Sequence, residues 1–142
     1  AGSALALAES HPEIVEPALA ARLRKAAVAA NAFERGVAIL EKCAAQAEAP
    51  GAFSPELARL QGDWGQSELA AGQVAQALAH LRLAHERHPE LFEIAGPLSA
   101  LLAQRGDRKA AIDTLESYLA VGKNPAEVEK ARTQLAKLRA GG

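Results

Sequence analysis

Aromatic residues are scarce in this 142-residue chain, at 4% of the total, and strand-forming residues never alternate with polar ones over a useful length. Both shortages point to an all-α chain. One cysteine, Cys43, excludes an intramolecular disulfide and leaves the redox compartment unread. No apolar run approaches the roughly 18 residues of a membrane-spanning helix, so direct membrane insertion is not expected. Ser3 to Ala8 is too short for a signal-peptide core and has no basic flank. Basic residues are no more abundant than acidic ones, 16 against 17. That balance argues against a nucleic-acid partner, which would need a clustered basic surface. Methionine is absent even at position 1, which suggests an excised piece of a longer protein, with Ala1-Gly2-Ser3 as a cloning remnant. No catalytic constellation, glycine-rich phosphate loop or nucleophile elbow is present. The chain reads as a non-enzyme without a cofactor.

Alanine is abundant, with 35 copies. It loses no side-chain entropy in a helix and lets helices approach closely. The length suits one domain. Within it, Gly72, Ala77 and Leu81 recur as Gly106, Ala111 and Leu115, each 34 residues later. An earlier unit is more degenerate. Asn31 stands where the later units have glycine, and it tolerates the same left-handed backbone. Leu19, Leu23, Ala26, Ala27 and Ala30 mark the helix before it, with Pro17 at the first turn. Phe33, Gly36, Val37, Leu40, Cys43 and Ala44 mark the helix after it. About seven extra residues then fall in a loop over 47–54, and Ser54 is expected to cap the next helix. That helix buries Leu57, Leu60, Trp64 and Ala71. Farther on, Pro97 either delays the start of its helix behind Gly96 or kinks it. Asn124-Pro125-Ala126-Glu127 opens a last helix as a capping box, with Val128, Ala131, Leu135 and Leu138 on one side.

The 34-residue period, with Trp64-Gly65, Ala77, Leu81 and Pro89 at fixed offsets, resembles the tetratricopeptide repeat. Gln61 and Glu68 depart from that pattern at the usual Trp and Tyr positions. The resemblance implies a right-handed α-solenoid of antiparallel helix pairs, about three repeats over 17–50, 58–89 and 92–123, with a capping helix over 125–140. It gives about seven helices in a domain over 13–142. Residues 1–12 read as either the tail of a preceding repeat's second helix or the cloning remnant, since His11-Pro12-Glu13 recurs as His88-Pro89-Glu90. Small residues at Gly65, Ser99, Ala77 and Ala111 are expected where backbones approach.

By the same resemblance, the function is a non-catalytic scaffold that binds a peptide or helix of another protein in the concave groove. Self-association and the compartment, cytoplasmic or periplasmic, stay open. The implied groove residues are Arg22, Lys25, Arg59, Asp63, Gln66 and Glu93, basic at the first end and mildly acidic at the last. Gly62 and Gly96 are expected to leave the groove poor in side chains. No asparagine stands where a chaperone carboxylate clamp would need one. Two alternatives are a docking segment of a larger enzyme or a secretion or assembly complex, and a binder of a small apolar ligand in a Gly/Ala-lined groove. His80, His85 and His88 lack converging partners for a metal and read as solvent-facing. Cys43 and Trp64 read as packing residues, and Arg22, Arg24 and Lys25 as the densest basic group.

Overall fold

Among the described residues, left-handed backbone occurs three times, at Asn31 (φ 53°), Gly72 (φ 80°) and Gly106 (φ 83°). At each, the N–H of the next residue bonds back five residues, Ala32 to Ala27, Gln73 to Glu68 and Asp107 to Leu102. This is the paired closure that ends a helix at a left-handed residue and reverses the chain. Asn31 is therefore the equivalent of the two glycines, as its place in the repeat predicts.

A computed structural model of the protein describes residues 2–47 and 50–141. Its helices are α1 (Gly2–Ser10), α2 (Ala20–Ala29), α3 (Phe33–Gln46), α4 (Ser54–Ala70), α5 (Val74–Arg87), α6 (Phe92–Gln104), α7 (Arg108–Val121) and α8 (Pro125–Ala140), with no strand among the described residues. The helix count exceeds the expected seven because Gly2–Ser10 is itself a helix, with Leu5 and Ala8 buried against α2 and α3. Ala1, in the expected cloning remnant, and residues 48–49 of the expected loop lie outside the described residues. The described part of that loop holds a single 3-10 turn over Pro50–Phe53, and Phe53 is fully buried.

The α2/α3, α4/α5 and α6/α7 pairs each fold back on themselves. The first helices also lie side by side, α2 on α4 and α4 on α6. Close approach rests on the small residues. A Cβ on Gly65 would lie 3.2 Å from the Ala77 carbonyl oxygen and 3.0 Å from Leu81. One repeat later, Ser99 Oγ donates to the Ala111 carbonyl at 3.1 Å. A Cβ on Gly36 would come within 2.6 Å of Ala27 Cβ. Leu40, Leu81 and Leu115 are fully buried between the helices, as are Ala77, Ala84 and Ala111.

Several local expectations are corrected. Leu19, Ala30 and Ala71 are exposed rather than buried, because each sits at a helix end beyond the packed face. Pro17 opens a 3-10 turn over Pro17–Leu19 that leads into α2. Pro97 does not delay α6, which runs unbroken from Phe92 through it. Ser54 does not cap α4: its hydroxyl faces His88 instead, 2.6 Å from Nε2. Asn124 does cap α8, accepting from Ala126 N and Glu127 N, with Pro125 in the first turn.

The far end of the stack is covered by α8. Ala131 and Leu135 are buried there against Leu115, Tyr118 and Ala95. Arg108 donates to the Leu138 carbonyl and, at 2.8 Å, to the Arg139 carbonyl. A cation at these last carbonyls satisfies acceptors that the helix cannot, and it opposes the negative end of the dipole.

Candidate functional site

Residues 56, 59, 63 and 66 recur at steps of three and four, so Glu56, Arg59, Asp63 and Gln66 share one stripe of α4. The stripe meets its neighbours through ion pairs. Arg24 of α2 bonds Glu56 at 2.7 Å and Asp63 at 2.8 Å. Arg59 bonds Glu56 at 2.8 Å and Glu93 of α6 at 2.8 Å. The result is a ladder, Asp63–Arg24–Glu56–Arg59–Glu93, that crosses three helices. Burial opposes the charge on Arg24, but its hydrogen bonds to Asp63 and Glu56, with their negative charges, outweigh it and raise its pKa above the ordinary arginine value. At Arg59 the Glu93 bond dominates and pushes the same way.

The structure thus brings Arg59, Asp63 and Glu93 together and leaves Gln66 exposed at the end of their stripe. It separates Arg22 from them. Arg22 lies two residues before Arg24, about 200° round the helix, and lines a cleft of about 220 Å³ between α1 and α2 with Leu7, Ile14 and Leu19. Lys25 is exposed and makes no ion pair among the described residues. The expected concentration of three cations at one end is therefore corrected, because Arg59 is neutralised by Glu56 and Glu93. The ladder also holds Arg24 and Glu56, which are not among the implied groove residues. The spacing of Glu56, Arg59 and Asp63, and the 34 residues between Arg59 and Glu93, were the available signals.

The glycines are corrected too. Gly62 and Gly96 do not open the groove: both are buried, Gly62 against Ile94 and Gly96 beneath the Phe92 ring. The strip on this face is charged rather than Gly/Ala-lined. The apolar cleft lies elsewhere, at α1 and α2.

Nor are His80, His85 and His88 solvent-facing, since each is half-buried. His80 stacks on Trp64 at 4.1 Å and bonds Glu68. His88 links Ser54 to Glu90, whose carboxylate lies 2.8 Å from Nδ1. Because the carboxylate can only accept, Nδ1 carries the proton of that bond, and in the neutral ring Nε2 accepts from the Ser54 hydroxyl. Burial, which outweighs the pull of Glu86, lowers the pKa of His85, and its Nδ1 is buried without a partner among the described residues. No cluster of three or more metal-ligating side chains exists among the described residues. Cys43 is buried, and burial raises its thiol pKa, as suits a packing residue. Trp64 packs against a core cluster that includes Leu23, Leu40 and Leu60, stacked parallel to Phe33 at 6.2 Å.

Among the described residues, no helix is long and apolar enough to cross a membrane. Residues 68–135, from the end of α4 into α8, match the sequence model of the tetratricopeptide repeat. No curated protein matches the chain.

Proposed function

We propose that this tetratricopeptide repeat protein, so identified by the match over residues 68–135, is a non-catalytic scaffold that holds a segment of another protein across α2, α4 and α6. Such repeats generally mediate protein–protein interaction. The reading places the strip on the concave side of a right-handed array of about three repeats closed by α8, and it includes Lys25, Arg59, Asp63, Gln66 and Glu93 as groove residues, with Arg22 set apart in the α1/α2 cleft. The observation that supports it is the ladder itself. Five alternating charges on adjacent helices form a polar surface whose members can exchange a neighbour's charge for a partner's. Interleaved charges of both signs discriminate between partners and fix their register more than they add affinity.

Photo-reactive side chains placed singly at Gln66 and Lys25, and at exposed Arg82 on α5 as control, test the reading. A discrete protein adduct from Gln66 or Lys25, absent from Arg82, is the expected result. Adducts from Arg82 alone would move the binding surface to the second helices.

A further inference from the structure

A second cleft, of about 340 Å³, opens where the α2–α3 and α4–α5 turns come together. It is bounded by Asn31, Glu34, Trp64, Ser67, Glu68 and Gln73, and no lysine or arginine lines it. Its two charges are both negative. Glu34 is exposed, whereas Glu68 is only 8% exposed. One Glu68 oxygen is held by His80, and the other has no hydrogen-bond partner among the described residues. That second oxygen is not among the sealed, unpartnered polar atoms, so it keeps access to the cleft and can accept from a donor there. The carboxylate's position is fixed from three helices, because His80 stacks on Trp64 and Trp64 on Phe33.

The geometry points to this cleft as a receptor for a guanidinium group, carried on an arginine side chain of a partner protein. A metal ion is a poor fit, since no third carboxylate, histidine or cysteine converges there. An ammonium ion offers three donors from a point and holds its water tightly. A guanidinium offers five donors in a plane and sheds water more readily. Several acceptors line the cleft to meet such a set of donors: the Glu68 and Glu34 carboxylates and the side chains of Asn31, Ser67 and Gln73. This inference rests on the cleft alone and does not depend on the strip across α2, α4 and α6.

Trp64 is the only tryptophan in the chain and lines the cleft, so its emission reports occupancy directly. The protein is titrated at low ionic strength with N-acetyl-arginine amide, N-acetyl-lysine amide, N-acetyl-glutamine amide and free arginine. A saturable change with the blocked arginine, absent with the glutamine analogue, is expected. Its midpoint should weaken about tenfold in Glu68→Gln, the usual scale for losing one charge-assisted hydrogen bond, and less in Glu34→Gln. If Glu68→Gln unfolds by circular dichroism, the exposed Glu34→Gln variant decides alone. Free arginine binding more tightly than the blocked amide would keep the guanidinium and assign it to the free amino acid. Equal response to the lysine amide, no saturable response to arginine, or no weakening in the folded variants would overturn the proposal.

Discussion

Arg59 and Glu93 are 34 residues apart in the chain and joined by a 2.8 Å hydrogen bond from Arg59 Nε to Glu93 Oε1. That separation is the repeat length, so equivalent positions on α4 and α6 carry opposite charges and meet when the helices lie side by side. Ser54 and His88 have the same separation and also touch. The ladder should therefore be graded in strength. The Arg24 side chain is 20% exposed and holds two carboxylates, whereas Glu93 is 52% exposed. Arg24→Ala should cost about 1–3 kcal/mol, because it strands two partly shielded carboxylates. Glu93→Ala should cost under about 1 kcal/mol, as exposed pairs do. Urea denaturation of both variants checks this, and equal losses would mean that the ladder is uniformly solvated.

Two glycines in similar helical positions should respond differently to alanine. In an open helix the change gains up to about 1 kcal/mol. At Gly36 the new Cβ would sit 2.6 Å from Ala27 Cβ, a contact that α2 and α3 must separate to relieve. Gly36→Ala should therefore destabilise by about 1–3 kcal/mol net, the range for overpacking. At Gly62 the nearest atom is Ile94 Cγ1 at 3.1 Å, on a side chain that can turn. Gly62→Ala should fall within about 1 kcal/mol of neutral. Thermal midpoints of the two variants, compared with the parent, decide it.

Stability should fall on acidification, in part through His85. Burial holds its pKa below the ordinary value of 6.5. The unfolded chain thus takes up a proton more readily than the folded one, and stability rises with pH between the two values. The His85 contribution is complete above about pH 6.5 and is lost as pH falls through the lower folded value. His85→Gln should lower the thermal midpoint less than the parent does between about pH 7.5 and pH 5.5. An unchanged drop would show that other groups carry the pH dependence.

Removing α8 should expose Leu115, Tyr118 and Ala95 at the end of the stack. Arrays without a polar terminal cap lose solubility, so a chain ending before Pro125 is expected to aggregate or unfold. Arg108→Ala is the milder test. It frees the Leu138 and Arg139 carbonyls and should fray only the last turn of α8, seen as faster amide exchange there with α6 and α7 unaffected. A truncated chain that remained monomeric and equally stable would make α8 a free tail.

Local rules made much of this protein legible in its residues. The left-handed turns at Asn31, Gly72 and Gly106 follow from residue type and period, because few residues accept that backbone. The buried small residues at Gly65, Ala77, Ser99 and Ala111 follow from the same period. What the spacing left undecided was the direction in which each helix turns its flanks. Arg22 and Arg24 are two residues apart, yet one lines an apolar cleft and the other holds two carboxylates of α4. A helical repeat orders residues around an axis, but the rotation and stagger of that axis are set by packing from distant segments. Gly62 meets Ile94, Phe53 sinks beneath what reads as a loop, and His80 is drawn onto Trp64 by the same packing. The sequence by itself determined the helices, their turns and the small-residue contacts. Only the tertiary structure decided which charges pair and which remain for a partner, because pairing depends on distances between helices that no single helix encodes.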